Sequence, residues 1–199
     1  MNLPNKLTVL RLILVPFMMF FYLATFIPYG IGKIVAIIIF IAAALTDLLD
    51  GKIAREKNLV TNLGKFLDPI ADKILTTVTL LLVVADGTLP SPWGVIIISI
   101  IVAREFAISA LRLIAAKNGT VLAADIWGKA KTMVQMIALP FCLLLAYVYT
   151  CGFSVPLWII IIIKSIAYST LLTATALTVI SGCNYLAKNN SCLMEEDKK

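Results

Sequence analysis

The chain has 199 residues, of which 61% are hydrophobic, with 17 Lys+Arg, 11 Asp+Glu, a net charge of +6 and no histidine. A soluble domain is typically about one-quarter charged and about half apolar, so this composition, with a mean hydropathy of +0.99, excludes an ordinary water-soluble fold and disorder alike. It also excludes histidine catalysis and histidine metal ligation, and it sets an integral membrane domain as the starting class.

Six apolar segments follow in chain order, each near the roughly 20 residues a spanning helix needs. They run about Leu7–Ile27, Gly32–Leu49, Pro69–Val84, Trp93–Ala115, Ala130–Tyr149 and Pro156–Leu186. The first is read as retained, because no small-residue cleavage signature precedes Pro28-Tyr29-Gly30. The third is short, and the sixth is long enough to tilt or to pass beyond the bilayer. Turn formers separate several of them: Pro28-Tyr29-Gly30, Asp86-Gly87 with Pro90 and Pro92, and Cys151-Gly152 before Pro156. Helices are required because lipid-exposed backbone must satisfy its own hydrogen bonds. Cys142, Cys151, Cys183 and Cys192 form no CxxC pair and are read as packing residues.

Basic residues orient the segments. With the N-terminus in the cytoplasm, fourteen of the 17 Lys+Arg fall on that side, in residues 1–11, 47–73, 112–131 and 184–199. The opposite turns hold only Lys33, while Arg104 and Lys164 lie inside spans. The expected fold is therefore an all-α integral membrane protein with six transmembrane helices and both termini cytoplasmic. The positive charge is assigned to topology rather than to nucleic acid.

Four of the acidic residues form a pattern: Asp47-x2-Asp50-Gly51-x2-Ala54-Arg55-x8-Gly64-x3-Asp68-x3-Asp72. At about 100° per residue, Asp47, Asp50, Gly51 and Ala54 share one helix face, and Asp68 shares another with Asp72. A turn near Asn58–Asn62, with Asn62 capping the second helix, brings the faces together. Four carboxylates meeting at the membrane edge need cations, and oxygen-only donor sets suit Mg²⁺, Mn²⁺ or Ca²⁺ rather than zinc. The small residues leave room for a ligand backbone, and Lys52, Arg55 and Lys65 around the rim suit phosphates. Divalent ions beside phosphates point to metal-assisted phosphoryl transfer.

This pattern resembles, without a departure, the signature of the CDP-alcohol phosphotransferases. The resemblance implies a metal-dependent membrane enzyme, usually a homodimer, that displaces CMP from a CDP-linked alcohol. It implies that Asp47, Asp50 and Asp68 ligate two divalent ions, Mg²⁺ or Mn²⁺. It makes Asp72 the general base, also able to touch a metal, and places Gly51, Ala54, Arg55 and Gly64 along the CDP pocket.

The acceptor is read elsewhere. Ala103-Arg104-Glu105-Phe106 and Ala110-Leu111-Arg112 place two guanidiniums in the fourth span, and Gly128-Lys129-Ala130-Lys131-Thr132 brings two ammonium groups to the fifth. Four cations on the cytoplasmic half suit a phosphorylated polyol, whereas neutral inositol or zwitterionic serine needs none of them. Glu105 lies seven residues before Arg112, nearly on the same face, and is expected to pair with it rather than with Arg104. These segments, and the opening Leu3–Arg11, resemble those of bacterial family members that act on a glycerol phosphate. By that resemblance Asn5 belongs to the CDP side of the pocket and Thr8 to the acceptor side. CDP-diacylglycerol and sn-glycerol 3-phosphate are then the expected substrates, at a cytoplasm-facing site in the plasma membrane. Sister enzymes using serine, inositol phosphate or phosphatidylglycerol are the near alternatives. A divalent-cation transporter is the distant one, disfavoured because Asp86 is the only acid in the opposite turns.

Overall fold

In a computed structural model the chain forms six helices: α1 Leu3–Leu23, α2 Ile31–Glu56, α3 Asn62–Ala85, α4 Trp93–Lys117, α5 Ile126–Cys151 and α6 Leu157–Lys188. The structure describes residues 3–27, 30–56, 62–117, 126–151 and 155–188; side chains at 3–4, 48–56, 62–66, 68–69, 113–114, 116–117 and 188 lie outside the description. No strand occurs among the described residues. Each apolar segment of the sequence becomes one helix. Four of them, α1, α4, α5 and α6, are long and apolar enough over their described residues to cross a membrane.

The helix ends depart from the apolar segments where charge begins. α2 continues to Glu56, beyond the expected end at Leu49, and α3 starts at Asn62 rather than Pro69. Hydropathy marks only the lipid-length part of a helix, while its polar turns remain helical where water can reach them. The whole aspartate motif apart from its connecting residues therefore lies on helix. α1 ends at Leu23, short of the expected Ile27, because the chain turns there, with Ile27 N donating to Ala24 O at 3.3 Å.

α1 packs chiefly on α2 and α3, and α5 packs on α6. Gly32 permits the first contact: a Cβ there would stand 2.3 Å from the backbone oxygen of Phe21. The core runs through the middle of the bundle, with Met18, Phe40, Leu75, Leu139, Leu143 and Leu171 buried together. The outer surface is apolar as well. Phe17, Phe20, Ile38, Leu81, Ile161 and Leu172 are exposed, as expected for side chains that meet lipid. Trp93, Tyr149 and Trp158 ring one end and Trp127 marks the other, where amphipathic rings suit the headgroup level.

α4 packs on α6 and α3 rather than on α5, its successor in the chain. That arrangement leaves a gap between α4 and α5 at the end where α3 and α5 begin. The opposite end is tied shut. Asp86, just beyond α3, accepts from Lys33 Nζ at 2.7 Å, from Thr88 Oγ1 at 2.6 Å and from Tyr22 Oη, while Tyr168 Oη donates to Thr88 O at 2.8 Å. α1, α2, α3 and α6 are thus joined through one carboxylate and the turn it holds.

Candidate active site

The site begins on α1. Asn5, Thr8 and Arg11, three residues apart, all fall on its buried face. Arg11 is wholly buried, and its Nη1 lies 2.6 Å from Oδ1 of Asp47 on α2. The sequence places Arg11 beside Asn5 and Thr8 and among the cytoplasmic charges; the structure makes it a partner of the aspartate motif. A buried guanidinium needs a carboxylate, and Asp47 supplies it at the edge of the site.

The gap between α4 and α5 is a cavity of about 550 Å³, also bordered by α3. Its volume falls in the range of small-molecule sites. Asp72 enters it from α3, Arg104, Glu105 and Arg112 from α4, and Lys129 and Lys131 from α5. The structure therefore brings Asp72 together with all four of the expected acceptor cations. Asp72 also lies within electrostatic reach of Asp47, Glu105, Arg11 and Lys73, which joins the cavity to the aspartate motif. Thr8 and Asn5 are buried on α1 and are not among the residues lining this cavity.

The cations are held in different ways. Arg104 donates from Nη2 to Ser181 Oγ at 2.6 Å, and the open face of Gly182 receives its stem; a Cβ on Gly182 would stand 3.2 Å from Arg104 Cγ. Arg112 lies over the ring of Tyr185, 5.4 Å from its centroid. α6 is thus a scaffold behind both arginines. Lys131 is buried and pairs with Glu105. This corrects the expected Glu105–Arg112 pair: α5 presents an ammonium closer to Glu105 than α4's own arginine two turns away. Lys129 is exposed at the mouth. Lys164, inside the sixth span, is exposed on α6 with its ammonium 5.6 Å from the Tyr168 ring centroid.

Sequence reasoning missed Glu105 as the partner of Lys131, although opposite charges in two apolar helices are a signal for pairing. It also missed Ser181 and Tyr185, whose residue types are common in any membrane helix.

Of the four expected metal ligands, Asp47 and Asp72 are described, while the side chains of Asp50 and Asp68 lie outside the description. So do those of Gly51, Ala54, Arg55 and Gly64, although their backbones are helical. Among the described residues no three metal-ligating side chains gather. The described pair fits a hard cation: both are carboxylates, each lies in the other's field, and no histidine is available to compete.

The family model for CDP-alcohol phosphatidyltransferase matches residues 1–180. The chain belongs to that family. Among the curated relatives it is similar to the CDP-diacylglycerol–glycerol-3-phosphate 3-phosphatidyltransferase of Bacillus subtilis (strain 168), 40% identical over 199 residues, covering 94% of this chain and 95% of the relative. The protein of the same name from Pseudomonas fluorescens is 37% identical, covering 94% and 89%. That from Haemophilus influenzae is 40% identical over 140 residues, covering 69% and 73%. In a CDP-alcohol phosphatidyltransferase, the charged cavity beside Asp72 has the composition an anionic acceptor requires.

Proposed function

We propose that this protein transfers a phosphatidyl group from CDP-diacylglycerol to sn-glycerol 3-phosphate, giving phosphatidylglycerophosphate and CMP. The observation that carries the reading is the single cavity that unites Asp72 with Arg104, Arg112, Lys129 and Lys131. The names of its relatives, at about 40% identity, support the same acceptor.

The acceptor's phosphate is held by Arg112 and Lys129 at the mouth and by Arg104 and Lys131 deeper in. Lys131 is already neutralised by Glu105, so an incoming phosphate shares that ammonium, and Arg104 and Arg112 supply most of the net attraction. The 1-hydroxyl then stands near Asp72, which takes its proton as the oxygen attacks the phosphatidyl phosphorus. The new oxygen–phosphorus bond forms as the bond to CMP breaks, and CMP leaves with the electron pair. Asp47, Asp50, Asp68 and Asp72 would hold two divalent ions, Mg²⁺ or Mn²⁺, whose charge would neutralise the diphosphate. Arg55, with Gly51, Ala54 and Gly64, would border the CDP group.

The reading extends to the whole molecule. All six helices span the plasma membrane, both termini face the cytoplasm, the site opens to that side, and the enzyme is a homodimer in the bilayer. Fourteen basic residues segregated to one side support the orientation. Purified protein supplied with CDP-diacylglycerol, glycerol 3-phosphate and Mg²⁺ or Mn²⁺ releases CMP, and chelation of the metal stops it. Absence of CMP release under these conditions would defeat the proposal.

A further inference from the structure

Resting on that reading, we infer that Gln135 is the residue that recognises the acceptor's non-reacting hydroxyl, and that it makes the cavity selective for a polyol phosphate over a deoxy analogue. Gln135 lies on α5 one turn beyond Lys131, on the same face, at the deeper part of the cavity. It is 1% exposed, and neither Oε1 nor Nε2 has a hydrogen-bond partner. A buried amide left unmatched is unfavourable, and the residue that carries it lines a space large enough for a ligand.

The other neutral polar side chains of the cavity are already engaged. Thr76 Oγ1 donates to Asp72 O at 3.1 Å, Ser109 Oγ to Glu105 O at 2.7 Å, and Thr132 Oγ1 to Gly128 O at 3.1 Å. Each spends its only proton on its own helix. Gln135 alone among these four keeps both a donor and an acceptor available, and a hydroxyl offers the complementary acceptor and donor. The guanidiniums and ammonium groups have no acceptor to offer, so they select the phosphate but do not read a hydroxyl. With the phosphate on the cations and the 1-hydroxyl at Asp72, the 2-hydroxyl between them is the group left for Gln135.

The test compares kcat/KM for CMP release with glycerol 3-phosphate and with 3-hydroxypropyl phosphate, which lacks the 2-hydroxyl. Wild-type protein is expected to prefer glycerol 3-phosphate by roughly ten- to a hundredfold, the scale of one neutral hydrogen bond plus an unmatched partner. Gln135→Met, close in shape but without the amide, is expected to reduce that ratio to within about threefold of unity, on the same scale. The KM for CDP-diacylglycerol stays unchanged. A wild-type ratio near one overturns the inference without any variant, and so does a ratio that Gln135→Met leaves intact. Wild-type protein that releases no CMP with either alcohol overturns the acceptor reading itself, a result distinct from release without discrimination.

Discussion

Arg11 and Asp47 form a 2.6 Å ion pair between α1 and α2, with the arginine entirely buried and the aspartate side chain 35% exposed. The burial is one-sided, so the guanidinium depends on the carboxylate for compensation, while the carboxylate keeps an open flank toward the site. Arg11 thereby fixes the position of the first aspartate of the motif.

Arg11→Met should lower stability and activity together. Removing one partner of a buried pair typically costs about 3–5 kcal/mol; with Asp47 partly solvated, the lower end is expected. The unfolding midpoint in detergent should fall, and CMP release should fall at temperatures where the variant remains folded. Arg11→Lys should recover part of the stability, because it restores the charge without the planar fork.

Asp72→Asn should abolish turnover while leaving CDP-diacylglycerol binding largely intact. The amide is nearly the same size but cannot take a proton from the attacking hydroxyl. Equilibrium binding of the CDP-lipid and single-turnover CMP release separate the two effects. Near-normal turnover would remove Asp72 from the role of base.

The two arginines of α4 should differ from their supports on α6. Arg112→Ala should raise the KM for glycerol 3-phosphate by roughly tenfold or more, the scale of a charge-assisted hydrogen bond, with little change in the KM for CDP-diacylglycerol. Ser181→Ala removes only the 2.6 Å bond that orients Arg104 and should raise the acceptor KM by a few-fold, about one neutral hydrogen bond. Steady-state kinetics with each substrate varied in turn measures both.

Asp86 gives a pH dependence far from the chemistry. Partial burial alone would raise its carboxyl, but hydrogen bonds from Lys33, Thr88 and Tyr22 outweigh that and hold it below the ordinary carboxylate value. A depressed folded-state value means that stability is present above the unfolded value, about 4, and is lost as pH falls through the folded one. Asp86→Asn should lower the unfolding free energy at neutral pH by about 2 kcal/mol, the scale for a charged acceptor with several donors. It should also flatten the decline as pH falls below about 4, the unfolded value. Unfolding curves in detergent across that range test both.

Much of this architecture is legible in the residues. Apolar length marks every helix, because a lipid environment leaves the backbone no alternative. The aspartate spacing puts Asp47 and Asp72 on two helices, and they lie on α2 and α3. What escapes is pairing across helices. Glu105 reads as a partner for Arg112 along one helix, yet it meets Lys131 on another, because helix packing decides which of two cations comes closer. Lys131 reads as an acceptor cation and Arg11 as a charge on the entering helix, yet both are buried in ion pairs whose partners lie on other helices. Gln135 shows no pattern at all; only its burial and its empty hydrogen-bonding capacity single it out.

The central claim is the identity of the acceptor, and an acceptor panel tests it most directly. Purified protein in liposomes containing CDP-diacylglycerol and Mg²⁺ is given glycerol 3-phosphate, inositol phosphate, inositol, serine or phosphatidylglycerol, and CMP release is measured. The account predicts rapid release with glycerol 3-phosphate and little with the others. Release that is faster with inositol phosphate, or with any acceptor lacking a free phosphate monoester, would contradict it.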